Sequence, residues 1–304
     1  MVAVVGHASA ATAVPASITY EDRGILFINP AVTDPSLNKH GFRYVFTTIP
    51  NNEQFGQQMA TFGFGLGYRR VAILNSREDW ADQTTKAFTQ DAITLGMTVV
   101  VRRSFFANRE NFRDIIADLG AFQFDALFLA ADEVTSATIV RQSMEMNLST
   151  PLLLAELIDI LAFREEVGVE TPHVTVPVLF NPLIDRRQVG AFRAGFKDRF
   201  GGEPDGWAAQ GYDAIQMLAQ AMAQANSPVP LSIATILRYT LSWQGITGRH
   251  SFNRGGAIYT KALEFATLEK GKIEFHSADG GVVEYQEPSA DQVDENPSDA
   301  SKRL

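Results

Sequence analysis

The stretch VAVVGHASAATAVPAS, residues 2–17, sets a short apolar run directly against a glycine and a string of small side chains. The run predicts a buried strand over Val2–Gly6, and the apolar spacing that follows predicts a helix over Ala13–Asp22. A turn between a strand and a helix holds its backbone N–H groups at a helix N-terminus, where negative charge is favoured. Ala8, Ser9, Ala10 and Ala11 are small enough for a ligand to approach that backbone, and Ser9 or Thr12 is placed to cap the helix. Locally, the same residues also describe an ordinary capped turn. A second turn of this kind, Pro30-Ala31-Val32-Thr33, ends the next apolar run, Ile25–Asn29. Two such turns at the carboxyl ends of neighbouring parallel strands form a crevice of the type in which α/β proteins bind ligands.

Outward from this start, apolar strand-like runs alternate with helical patterns. The strands are expected at Val71–Asn75, Thr98–Arg102, Ala126–Ala130, Leu152–Ala155 and Val174–Phe180, and the helices at Glu53–Phe64, Gln83–Leu95, Asn111–Leu119 and Val134–Met146. This rhythm means an α/β fold with mostly parallel strands flanked by helices. After Arg186 it changes. Three helical stretches, Arg187–Phe200, Gly206–Ala225 and Leu231–Leu241, follow one another, and then come Gly248–Phe252 and a hairpin of Leu263–Leu268 with Lys272–His276. The late helices fit a chain that returns to its first domain. There they have only the two strands before residue 30 to cover, which is too little sheet for three helices. The expectation is therefore a first domain lacking one or two βα units upstream of Val2. Residues 286–304, almost without apolar side chains, read as a disordered tail.

Composition excludes several classes of function. A formal net charge of −9 over 304 residues argues against nucleic acid as a partner, because that affinity comes from clustered Lys and Arg. The absence of cysteine removes thiol nucleophiles and zinc thiolates. The five histidines are scattered with no metal-ligand spacing, so neither a metal nor a cofactor is expected. GFGLG, residues 63–67, comes after a helix and before a strand, the reverse of a phosphate-binding loop, and reads as a helix terminator. Asp132 and Glu133 could serve as an acid pair, but adjacent positions diverge in direction, and solvated charges at a strand end describe them equally well. No nucleophile is set beside a base, so an enzyme is not expected.

The segment GHASAATAVPASITYEDRGILFINPAVTDPSL resembles the type I periplasmic solute-binding proteins of the leucine/isoleucine/valine-binding family, which serve branched-chain amino acid ABC transporters. The resemblance continues through RRVAILNSREDWADQ, FDALFLAADEVTSATIVRQSMEMNL, PLLLAELI, EPDGWAAQGYDAIQMLAQAM and GRHSFNRGGAIYTKALEFATLEKGKI, and covers roughly residues 2–276. It implies two α/β lobes joined by three crossings, near Ile49-Pro50, Phe180-Asn181 and Gly248–Phe252. Lobe 1 then takes residues 1–49 and 182–249, and lobe 2 takes 50–180 and 252–285.

The resemblance also implies a site. Thr33 matches the family's second-turn threonine, which holds the ligand carboxylate. The first-turn serine is replaced by Ala10, with Ser9 beside it, and Ala31 lies in the second turn. Glu156 matches the acid that receives the ligand ammonium, and Trp80 and Trp207 match aromatic walls. Asp132 stands where many members place a tyrosine, which leaves room for a more polar or cationic ligand. The implied function is an extracytoplasmic binding protein that closes on an amino acid or related zwitterion and is read by a membrane ABC permease. A ligand sensor of the same fold and a truncated, non-binding product are the alternatives.

Overall fold

The computed structural model describes residues 1–156, 159–168, 171–276 and 281–285; the expected tail at 286–304 lies outside them. In chain order the elements are β1 (Ala3–Val5), α1 (Ala10–Asp22), β2 (Leu26–Asn29), β3 (Val45–Thr47), α2 (Asn52–Gly65), β4 (Arg70–Ser76), α3 (Asp79–Thr94), β5 (Thr98–Phe105), α4 (Arg113–Leu119), β6 (Ala126–Ala130), α5 (Glu133–Glu145), β7 (Leu152–Leu154), α6 (Ile160–Val167) and β8 (Val174–Val178). There follow α7 (Arg187–Phe200), α8 (Gly206–Ala225), α9 (Pro230–Tyr239), β9 (Trp243–Gly245), β10 (Gly248–His250), β11 (Glu264–Glu269), β12 (Lys272–His276) and β13 (Val282–Glu284).

Among the described residues the strands form a parallel sheet β1-β2-β3, a larger sheet in the order β13-β12-β11-β8-β7-β6-β4-β5, and the small antiparallel pair β9-β10. In the larger sheet β4 to β8 run parallel, and β11 returns antiparallel to β8. The hairpin β11-β12 turns through Lys270 and Gly271, both at positive φ, the geometry whose twist matches that of the strands it joins. Strands β6 and β7 are buried along their whole length, as expected of parallel strands covered by helices on both faces.

The small sheet corrects two expectations. It has a third strand, Val45–Thr47, whose three residues are too short for an alternating pattern to register. The late helices are also not all laid on it. Helices α8 and α9 bury Met217, Leu218, Ile233 and Leu237 against Leu26, Ile28 and Phe46, whereas α7 packs Val189 and Phe192 beside Ala209 of α8 and Phe180. Helix α1 covers the opposite face, where Ala13 meets Phe27 and Val45. Strand β1 is at an edge of this sheet, while β2 is paired on both sides.

Helix α2 starts on a reciprocal capping box. The Asn51 side chain accepts from the Gln54 N–H, and the Gln54 side chain accepts from the Asn51 N–H. It ends at Gly65 with Gly67 at positive φ, so the glycine run is indeed a terminator. Helix α3 lies hard against α2 because Gly56 has no side chain: a Cβ there would stand 2.3 Å from the Thr84 carbonyl oxygen. These two helices pack on one face of the large sheet, where Phe55, Met59 and Phe88 meet Val71, Ile73 and Phe128.

Candidate functional site

The turns after β1 and β2 are fixed to each other by one side chain. The Asn29 amide donates to the carbonyls of Gly6 (2.8 Å) and His7 (3.0 Å), and its oxygen accepts from the N–H groups of Ala31 (3.1 Å) and Val32 (2.6 Å). Asn29 is fully buried, and of these bonds the one from Val32 is shielded from competition with water. Ser9 caps α1, its hydroxyl accepting from the Ala11 N–H at 3.2 Å. The N–H groups of Ala10 and Thr33 and the Thr33 hydroxyl make no hydrogen bond among the described residues, and they remain as donors.

Facing these turns is a cavity of about 250 Å³. Ala8, Ala10, Ala31, Val32, Thr33 and Asp34 line one wall, and Asn52, Asp79, Trp80, Gln83 and Glu156 line the other. A pouch of about 30 Å³ shares Thr33, Asn52, Trp80 and Glu156 with it and adds Phe55, Thr84 and Ala155. The walls are tied at one point, where the Asn52 N–H donates to the Thr33 carbonyl at 2.9 Å. Asn52 also donates from its side chain to Gln83 at 3.1 Å, which locks α2 to α3 at the cavity surface. Trp80 packs on the core beneath the large sheet as well as lining the cavity, so its ring is held rather than free.

Glu156 follows β7 at the end of the large sheet. Among the described residues no group donates a hydrogen bond to its carboxylate. Burial pushes its pKa up to about 7, and the carboxylates of Asp132, Glu133 and Glu78 push in the same direction. That end of the cavity thus gathers carboxylates, with Glu156 held toward its neutral form.

The structure brings Ala10, Ala31, Thr33, Trp80 and Glu156 to one cavity and leaves three expected residues outside its lining. Ser9 spends its hydroxyl on the cap. Asp132 caps α5, accepting from the Thr135 N–H (2.9 Å) and hydroxyl (2.7 Å), and reaches the cavity only through its charge on Glu156. Trp207 corrects the expectation of a single shared space. It sits in the first turn of α8, 46% exposed, in a separate recess of about 190 Å³ with Ile160, Leu179, Phe180 and Pro204. Residues that sequence reading missed are Asn29, Asn52 and Gln83. Only Asn29 carried a signal, a polar residue closing an otherwise apolar strand just before Pro30.

Comparison with known proteins gives the family. A family model described as periplasmic binding protein matches residues 1–272. The leucine-specific-binding protein of Salmonella typhimurium is 27% identical over 240 residues, which are 77% of this chain and 64% of that protein. The chain thus spans less than two thirds of that relative's length. A Leu/Ile/Val-binding protein homolog of Brucella abortus is 23% identical over 88% of this chain and 72% of its own. Among solved structures, an ABC transporter substrate-binding protein from Desulfitobacterium hafniense in complex with Leu superposes with a TM-score of 0.78 at 26% identity, covering 90% of this chain and 79% of that one. With a type I periplasmic binding fold, a matching family model over most of its length and leucine/isoleucine/valine-binding proteins among its relatives, the chain belongs to the periplasmic binding protein family.

Proposed function

We propose that the chain binds an amino acid or a closely related small zwitterion as the solute-binding component of an ABC importer, outside the cytoplasmic membrane. The small sheet with α1, α7, α8 and α9 would act as lobe 1, residues 1–49 and 182–249. The large sheet with its helices would act as lobe 2, residues 50–180 and 252–285. One observation carries the reading: the two walls of the cavity offer opposite chemistry, unpaired N–H and hydroxyl donors at Ala10 and Thr33 against an unpaired carboxylate at Glu156. A carboxylate satisfies one wall and an ammonium the other. Only a molecule with both holds the walls together, and closure of the lobes on it is the signal a permease would read. The leucine-specific-binding and Leu/Ile/Val-binding relatives favour leucine and its kin. The acids around Glu156 favour a ligand with additional polarity or positive charge in its side chain.

Calorimetric titration with a panel of amino acids, their amides and their deaminated analogues tests this. Charge-assisted hydrogen bonds contribute roughly 1.5 to 3 kcal/mol, so Glu156→Gln is expected to weaken amino-acid binding about 10 to 150-fold. Deaminated analogues binding as tightly as amino acids, or no loss in the variant, would overturn the proposal.

A further inference from the structure

The chain runs between the small and the large sheet three times, through residues 48–51 after β3, 179–186 after β8 and 251–263 before β11. All three passages meet at a single buried ammonium. Lys261, on the third passage, donates from Nζ to the Thr48 carbonyl of the first passage at 3.1 Å and to Gln210 Oε1 at 2.7 Å. Gln210 in turn donates from Nε2 to the Leu179 carbonyl of the second passage at 3.1 Å. The third Nζ hydrogen bond goes to the Thr247 hydroxyl at 2.8 Å, and that hydroxyl donates to Asp213 at 2.5 Å. Asp213 also accepts from the N–H groups of Ile246 (3.0 Å) and Thr247 (2.8 Å). Lys261 is 6% exposed, and Gln210 and Asp213 are fully buried.

We propose that Lys261 is a positioning residue for closure, the node about which the three passages turn. The proposal rests on the reading that the two sheet bodies close on a ligand. A buried ammonium left without acceptors is costly, so relative motion of the bodies is confined to paths that keep all three of its hydrogen bonds. Rotation about the node keeps them, whereas sliding one body past the other breaks at least one. The local backbone is shaped to admit the node: a Cβ at Gly245 would stand 2.3 Å from the Asp213 carboxylate. Burial pulls the Lys261 pKa down to about 7, against Asp213 and Glu264, which favour its charge, and the burial of His250 beside it keeps that imidazole neutral.

The chain has no cysteine, so two introduced ones give unique labels. Nitroxides at Ala11→Cys, on an exposed position of α1, and Val134→Cys, 68% exposed on α5, report the distance between the bodies by pulsed electron resonance. In the ligand-free protein, Lys261→Met is expected to broaden that distance distribution by about twofold, and Lys261→Arg to restore much of its sharpness. Gln210→Met, which releases the passage at Leu179 and removes one of the three Lys261 acceptors, should broaden it less and serves if Lys261→Met fails to fold. A folded variant that melts earlier yet keeps the parent's distribution, for Lys261→Met or for Gln210→Met in its place, would reduce the node to ordinary core and overturn the proposal. Because this readout needs no ligand, it is independent of the amino-acid titrations. A parent distribution unmoved by a bound amino acid would count against closure itself.

Discussion

Glu156, half-buried, and Asp213, fully buried, are carboxylates both raised by desolvation, and they sit in opposite surroundings. Asp213 accepts three hydrogen bonds, from two backbone N–H groups and the Thr247 hydroxyl, with the Lys261 ammonium one hydroxyl away. Glu156 has no donor among the described residues, and the charges that act on it are Asp132, Glu133 and Glu78. The satisfied carboxylate holds the protein together. The unsatisfied one holds a place for something else. A buried charge is tolerated only with partners, so a site that withholds them is poised to accept a partner from solution.

The strongest way to break this contrast is Asp213→Ala. Removing the carboxylate leaves Lys261 buried beside empty space, and urea unfolding is expected to show a loss of about 3 to 5 kcal/mol. A loss no larger than that of a surface substitution would mean that Asp213 and Lys261 do not depend on each other.

Glu156→Gln should move stability in the opposite direction, and with pH. The folded protein holds the Glu156 proton up to about pH 7, whereas the unfolded chain releases it near 4.5. Between those values the folded state binds more protons, so stability falls as pH rises, and the deficit is complete above about pH 7. The variant is expected to gain about 3 kcal/mol over the parent at pH 8 and nothing at pH 4, as read by denaturant midpoints in the absence of ligand. A gain independent of pH would assign it to packing instead of charge.

The smallest effect sharpens the contrast. Asp132→Asn keeps a good cap on α5 and removes one of the negative charges facing Glu156, so stability should change by about 0.5 kcal/mol or less while Glu156 titrates at lower pH. Carbon-detected NMR titration of Glu156 follows that shift. An unchanged midpoint would show that the charge of Asp132 does not act on it.

Much of the scaffold was legible because its signals are local. The run Ala126–Ala130 and the spacing in Gly206–Ala225 announce β6 and α8 to the residue, and the two small-residue turns that hold Ala10, Ala31 and Thr33 follow from strand-turn-helix order. What escaped depends on distance along the chain. Strand β3 is three residues long and is defined by its pairing with β2 instead of by its own pattern. Asn29 reads as a turn residue until its partners 22 and 23 positions earlier are known. Lys261, within the apparently ordinary YTKALEF, bonds to residues 14, 51 and 213 positions away, and nothing local marks it as buried. Trp207 is the converse: sequence supplied an aromatic at a matching position, and the structure places it in a recess apart from the one that Trp80 lines.

The close approach of α2 and α3 at Gly56 has a consequence for how such a site diversifies. Asn52 on one helix and Trp80 and Gln83 on the other all face the cavity, yet the gap between the helices is set four residues from Asn52, at a position outside the cavity lining. A single methyl group there would wedge the helices apart and re-aim one whole side of the cavity without altering any residue on its surface. Variation in selectivity between members of a lineage can therefore be written in the packing behind a wall as well as in the wall itself.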